Sequence, residues 1–295
     1  MPTAKSSRLQ QSFRAARQIT REHAKSFYFA SFALPRKKKE AAYAVYAFCR
    51  YIDESIDRAP SFEDQLEVGQ SLRKMLDQFY SQNAPDQFGW AEAFYSTIRT
   101  YQIPKGHFEN LIKGVEMDAR PTIQIKTWSD LEDYCYYVAS VVGLIMSHIF
   151  EMKDPSAREQ AISLGIAMQL TNILRDVKED YENHRVYLPA EELESYQVDL
   201  KNGFTQENWK KYAIFFAQRA QEYYIASEKG ISSLADDGSQ FTVWIMRCVY
   251  AGILDEAAKY HYDVSVRHHV SLFKKLRLVL TAYRLYKKSS CDSRQ

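Results

Sequence analysis

Two acidic clusters stand more than a hundred residues apart in this chain, Asp53-Glu54-Ser55-Ile56-Asp57 and Asp176-Val177-Lys178-Glu179-Asp180. In each, two aspartates are four residues apart, which on a helix puts one carboxylate a turn above the other. Like charges at that spacing destabilise an isolated helix by about 0.2–0.5 kcal/mol, so a chain that does this twice gains from cations held between them. Oxygen-only donors suit hard divalent ions, Mg²⁺ first and Mn²⁺ as a substitute. Mg²⁺ usually takes one or two carboxylates and completes its shell with water and substrate phosphates. A single such pair is equally at home on a solvated helix face, so the neighbouring residues decide.

Arg50 lies three and four residues before Asp53 and Glu54 and shares their face. It can form an intrahelical salt bridge worth a few tenths of a kcal/mol, or offer its planar fork to a phosphate beside a metal. The second cluster is more telling. Asn172, Asp176 and Asp180 fall at i, i+4 and i+8, with Gln169 a turn earlier on nearly the same line. Leu170, Ile173, Leu174 and Val177 occupy the other side. A row of carboxamides and acids facing inward is costly unless something polar fills the space, and Arg185 and Tyr187 follow closely. This segment reads as a diphosphate–metal face.

The elements that must carry these residues are helices. Helical periodicity recurs over about 9–30, 38–57, 62–82, 88–101, 106–117, 128–152, 155–183, 205–230, 237–262 and 269–287, and no alternating strand stands out. Breaks are expected at Leu34-Pro35, Ala59-Pro60, Ala84-Pro85, Ile103-Pro104, Arg120-Pro121 and Leu188-Pro189. Both acid clusters then end long helices, at one rim of a bundle. The 295 residues contain 10 Gly and 8 Pro, scattered and without a linker or repeat, which favours one all-α domain over 1–295. A net charge of +2 gives no nucleic-acid footprint. The isolated cysteines Cys49, Cys135, Cys248 and Cys291 fit a reducing cytoplasm and argue against zinc. Residues 1–21 hold basic but no acidic side chains, yet Phe13, Ala16, Ile19 and His23 continue a helix into the body. Val138–Phe150 is too short and interrupted to span a bilayer and reads as a buried helix. The 21 tyrosines exceed the 16 phenylalanines, as a tyrosine-lined cavity or many half-exposed faces would require.

The ordered set of motifs resembles the squalene/phytoene synthase family of head-to-head prenyl transferases. The matching pieces are His23-Ala24-Lys25-Ser26-Phe27, Tyr46-Ala47-Phe48-Cys49-Arg50 leading into the first cluster, and Tyr134-Cys135-Tyr136-Tyr137-Val138-Ala139 with Gly143. The long stretch from Gln169 to Asp180 and on to Arg185-Val186-Tyr187-Leu188-Pro189 follows, then Tyr250, Ile253-Leu254, Tyr262-Asp263-Val264 and Arg267. The resemblance is strongest over 12–270 and implies an isoprenoid-synthase helical bundle around a central cavity. It implies condensation of two farnesyl or geranylgeranyl diphosphates through a cyclopropylcarbinyl diphosphate, in carotenoid biosynthesis. Phytoene or dehydrosqualene results after proton loss, or squalene after hydride capture; only squalene would need NADPH. By resemblance Asp53, Asp57, Asp176 and Asp180 bind the metals, with Asn172. Arg50, Asn172, Arg175, Arg185, Tyr187 and Arg267 contact diphosphates; Ser26, Phe27, Tyr46 and Gln169 line the substrate pocket; Tyr136 and Tyr250 join the catalytic set. Three positions depart from the family pattern: Glu54 replaces an aspartate, Ser140 a glycine and Lys178 a glycine. Ser140 is expected to narrow the cavity and Lys178 to alter the diphosphate rim.

The chemistry demands such residues. Expelling diphosphate into an apolar cavity needs cations to stabilise the leaving group, arginines that stay charged, and aromatic faces for the allyl cation, worth about 0.5–2 kcal/mol each. Ser31 is expected to deepen the cavity and Tyr43 to shorten it, leaving C15 and C20 substrates both open, with an unreduced carotenoid-type product preferred. The stretch Phe273–Lys288 mixes Leu276, Leu280 and Tyr283 with Lys and Arg, so it is either a helix packed on the bundle, the preferred reading, or one that touches membrane peripherally. A prenyl-diphosphate phosphatase and a non-catalytic prenyl-lipid binder are the alternatives. A di-iron bundle lacks its Glu-x-x-His pairs.

Overall fold

The computed structural model describes residues 4–81, 87–118, 122–204 and 207–292. The predicted breaks at Ala84-Pro85 and Arg120-Pro121 lie outside these. Thirteen α-helices are present among the described residues: α1 Ala4–His23, α2 Lys25–Ala30, α3 Arg36–Asp57, α4 Phe62–Ser81, α5 Ala91–Thr100, α6 Lys105–Asp118, α7 Trp128–Cys135, α8 Val141–Ile149, α9 Arg158–Glu182, α10 Ala190–Ser195, α11 Glu207–Ile231, α12 Ser239–Lys259 and α13 Leu272–Asp292. The all-α expectation holds. α9 packs most extensively on α11, and α12 on α13.

Two apolar clusters hold the bundle together. In one, the Phe48 ring of α3 stacks on Phe94 at 4.1 Å and meets Phe79, Trp90 and Phe108 edge-on. In the other, Leu170, Ile173 and Leu174 of α9 pack with Trp209, Tyr212 and Phe216 of α11. Leu164 touches both clusters. The apolar side of α9 seen in the sequence is therefore its core side, which leaves the Asn172–Asp176–Asp180 stripe turned elsewhere.

The structure corrects several element boundaries. The helix expected over 9–30 breaks at Ala24, which is non-helical (φ −122°, ψ 56°), although no Gly or Pro stands there. The helix expected over 128–152 contains a π turn, Tyr136–Ser140, between α7 and α8. A short parallel pair, β1 Ile123–Gln124 with β2 Arg185–Val186, was not expected, nor was α10. Two residues per strand are too few to show alternation in a sequence.

The π turn is clamped by glycines on both sides. A Cβ at Gly165 of α9 would lie 2.4 Å from Ser140 Cα, and one at Gly114 of α6 would lie 2.8 Å from the Tyr137 carbonyl. Ser140 is buried and its Oγ donates to the Ile162 carbonyl at 2.8 Å. It does not line the main cavity, so the expected narrowing by Ser140 does not occur; Gly165 opposite makes room for it. Replacing Gly165 by Ala would push backbone against backbone, at a cost of about 1–3 kcal/mol. Thermal unfolding of Gly165→Ala checks this: a lowered midpoint is expected, and an unchanged one would mean the two helices part freely.

Candidate active site

An apolar cavity of about 370 Å³ runs down the middle of the bundle. α9 forms one wall through Gln160, Ala161, Leu164, Met168, Gln169 and Asn172, and α8 and α12 supply Val142, Met146, Val243, Met246 and Tyr250. Phe27 and Tyr46 close the wall from α2 and α3, and Val138 and Ala139 enter from the π turn. The Asn172 amide donates to Gln169 Oε1 at 3.3 Å, so the two carboxamides satisfy each other at the wall. One turn further along α9 the stripe leaves the cavity and becomes acidic.

Tyr46 and Tyr250 are the tyrosines among the described lining residues. The tyrosine surplus is spent elsewhere, on hydroxyl bonds such as Tyr224 with Thr171 (2.9 Å) and Tyr80 to the Ile103 carbonyl (2.7 Å). Ser31 and Tyr43, expected to set cavity depth, line it at no point; they bond each other at 2.6 Å. The far end is closed instead by Phe150, Ile231 and Leu234.

The acidic rim is assembled from the ends of α3, α6 and α9. Sequence reading missed its central member, Asp118, the last residue of α6, which accepts from Tyr134 Oη at 3.0 Å and Tyr187 Oη at 2.8 Å. No spacing rule pairs Asp118 with either cluster; a lone acid before Arg120-Pro121 was the only signal. Burial, with Asp57 next in effect, pushes the Asp53 carboxyl up to about 7. Burial, then Asp176, pushes Asp180 up to about 7. Burial pushes Asp118 up to about 6 against its tyrosine bonds. Asp118 bears electrostatically on Asp53 and on Asp180, so it links the two clusters in space.

Three arginines meet these acids. α9 stops at a left-handed His184 (φ 60°), which turns the chain into β2 and sets Arg185 Nη2 4.0 Å from Asp57 Oδ1. Arg175 reaches both Asp176 oxygens, at 2.9 and 2.5 Å. Arg267, in the loop after α12, adds a contact to Asp176 Oδ1 at 2.9 Å. Arg50 instead bonds Glu54 at 2.7 Å, and Glu54 also takes Arg58 at 2.8 Å; the salt-bridge option is the one seen. Lys178 leans toward Glu182 at 4.0 Å on an exposed face, away from the rim. Ser26 accepts from Lys275 of α13 at 3.2 Å and is absent from the cavity lining. Tyr136 stands edge-on to Tyr137 at 5.3 Å, also outside that lining.

Among the described residues no three His, Cys, Asp or Glu side chains converge to hold an ion alone. The predicted metal set is therefore not a preassembled cage. It fits a cation that keeps water and phosphate ligands and takes only one or two carboxylates from the protein: the donors are all oxygen, and Asp53 and Asp180 stay raised by burial and neighbouring acids despite Arg50 and Arg185.

A scan against family models matches the squalene/phytoene synthase model over residues 20–282. The chain belongs to the squalene/phytoene synthase family. It is 32% identical over 284 residues to the 15-cis-phytoene synthase of Synechococcus elongatus, covering 91% of each chain. A dehydrosqualene synthase crystal structure with bound ligand superposes with a TM-score of 0.88 at 30% identity, covering 96% of this chain and 99% of that one. The squalene synthase HpnC of Alicyclobacillus acidocaldarius superposes with a TM-score of 0.78 at 25% identity, covering 86% and 96%. The fold is that of the isoprenoid synthases.

The raised carboxyls make a pH prediction for the metal-free protein. An unfolded aspartate titrates near 3.8, whereas native Asp53 holds its proton to about 7. The native state binds more protons across that window, so stability falls as pH rises through it. Asp53→Asn should therefore raise the unfolding midpoint in chelator more at about pH 8 than at about pH 5, where the wild type has lost only part of that stability. A gain of equal size at both pH values would show that repulsion at Asp53 is not the cause.

Proposed function

We infer that this prenyltransferase joins two geranylgeranyl diphosphates head to head and releases phytoene by proton loss, without NADPH. One observation carries the reading: a single helix, α9, lines the apolar cavity from Gln160 to Asn172 and then continues as the acidic rim at Asp176 and Asp180. That helical wall is about 18 Å long at 1.5 Å per residue, and Ala157 and Leu234 continue the lining, room for an extended twenty-carbon tail with its diphosphate at the rim.

Asp53, Asp57, Asp176 and Asp180 are the residues that would hold Mg²⁺, with Asn172 and Asp118 beside them. Bound Mg²⁺ supplies charge stabilisation for the departing diphosphate. Arg185 and Arg175 place fixed positive charge at the two acid clusters. Arg267, whose side chain is 62% exposed, is free to leave Asp176 for the diphosphate when cations take its place. Phe27, Tyr46 and Tyr250 present aromatic faces to the allyl cation, and the aliphatic walls below them exclude water. Tyr187 acts through Asp118, holding that carboxylate in place.

The same reading puts the protein in the cytoplasm, at a membrane surface that takes up its hydrocarbon product. No helix among the described residues is long and apolar enough to cross a bilayer, and Cys49, Cys135, Cys248 and Cys291 are all unpaired. α13 packs Ala282 and Leu278 on the bundle but exposes Phe273, Leu276 and Leu280, which supports contact with lipid.

Purified protein given Mg²⁺ and geranylgeranyl diphosphate should yield phytoene with or without NADPH; recovery of only the prenyl alcohol would make it a phosphatase. Asp176→Ala should abolish turnover with the helical circular dichroism intact. Ala161→Phe, filling the middle of the cavity, should depress use of geranylgeranyl diphosphate more than farnesyl diphosphate. Equal loss on both would remove this cavity as the tail site.

A further inference from the structure

Between α1 and α3, away from the acidic rim, a second cavity of about 490 Å³ is lined by Arg14, Arg17, Arg36, Lys39, Glu40 and Tyr43, among others. Four cations face one carboxylate, and that carboxylate is taken by Arg36 at 2.9 Å. The Arg17 guanidinium is fixed by the Tyr28 hydroxyl at 3.0 and 3.1 Å. Lys39 Nζ is held by the Phe32 carbonyl at 3.2 Å. Both retain their charge, because neither partner is an anion. Arg14 takes no ion-pair or hydrogen-bond partner among the described residues. A concave site with this excess of positive charge and preset guanidinium forks selects a phosphate-bearing anion.

The groove adjoins exposed apolar surface. Phe32, whose carbonyl holds Lys39, is itself 53% exposed. Its ring meets Phe241 edge-on at 6.3 Å, and Phe241 meets Tyr283 of α13 at 5.9 Å. From there α13 carries an exposed stripe of Phe273, Leu276, Leu280 and Tyr283, with Phe273 at 83% exposure. Arg277, Arg284 and Lys287 share that stripe at helical spacing and are exposed. One continuous face thus has a basic groove at one end and a mixed apolar and basic helix at the other. A protein ligand would more often meet an apolar core with a polar rim; interleaved cations and large apolar side chains match a bilayer interface carrying anionic lipid.

We propose that the Arg14–Arg17–Arg36–Lys39 groove is a binding site for the phosphate headgroup of an anionic phospholipid, and that with Phe32 and the outer face of α13 it docks the protein on an acidic bilayer. This rests on the membrane contact inferred above and adds the headgroup site to it. Phe27 in the wall of the main cavity meets Tyr43 in the floor of the groove at 6.2 Å, so the docked face lies one aromatic layer from the prenyl cavity.

Co-sedimentation with vesicles of phosphatidylcholine alone, or mixed equally with phosphatidylglycerol, tests it on the full-length protein. The wild type should bind the mixed vesicles and bind pure phosphatidylcholine far less. Arg14→Ala/Arg36→Ala should weaken binding to mixed vesicles about thirtyfold. Lys211→Ala/Lys229→Ala, an equal charge change on α11, should not. Phe273→Ser/Leu280→Ser should lose binding as well. Unfolding midpoints, and turnover of detergent-dispersed substrate, should stay at the wild-type level in the groove variant, since neither arginine belongs to the catalytic rim. Wild-type binding by the groove variant with loss by the α13 variant would overturn the headgroup site and leave the membrane contact standing. Equal binding of the wild type to both vesicles would overturn the anionic selectivity. Binding to neither would overturn both.

Discussion

Carboxylates buried together at the ends of α3, α6 and α9, with Asp118 acting on both Asp53 and Asp180, are the constraint on which the rest depends. Asp53 and Asp180 are each pushed up to about 7 by burial and by a neighbouring acid, and Asp118 to about 6. Left alone they oppose folding at neutral pH. They persist because the surrounding frame over-determines them: Tyr134 and Tyr187 bond Asp118, the turn at His184 aims Arg185 at Asp57, and two arginines hold Asp176. A site strained in this way suits a divalent cation and a diphosphate taken up together, as proposed above, since neither alone would balance the charge.

The cavity and the rim are two uses of one helix. Because α9 turns Leu170, Ile173 and Leu174 toward α11, its opposite face is left to line the apolar cavity and then, past Asn172, to join the acidic rim. The glycine clamp on the π turn works to the same end. It lets α6, the π turn and α9 approach closely enough for Val138 and Ala139 to enter the cavity wall while Asp118, at the end of α6, stands among the acids.

The long helices and both acid clusters were legible because each is local: a periodicity, a spacing, a proline. The Asn172–Asp176–Asp180 stripe was readable from one helix alone. What the sequence could not show was tertiary. Asp118 joins the rim only because α6 ends there, and the β1–β2 pair that steers Arg185 is two residues long. Ser31 and Tyr43 have the sizes of depth-setting residues, but they bond each other, and Tyr43 faces the groove between α1 and α3. Arg50 shares a face with both Asp53 and Glu54, and only the folded structure shows that Glu54 takes it, together with Arg58. Ser140 looked like an obstruction until Gly165 was seen across from it.

The central claim is that the two acid clusters become one cation site only when diphosphate is present. Titration of Mn²⁺ by electron paramagnetic resonance, with and without inorganic diphosphate, measures this without turnover. Bound Mn²⁺ should be sparse on the protein alone, rise sharply when diphosphate is added beyond what diphosphate binds by itself, and lose that rise in both Asp53→Asn and Asp176→Asn. Strong Mn²⁺ binding that ignores diphosphate, or a rise that survives loss of either aspartate, would contradict a site shared between the two clusters.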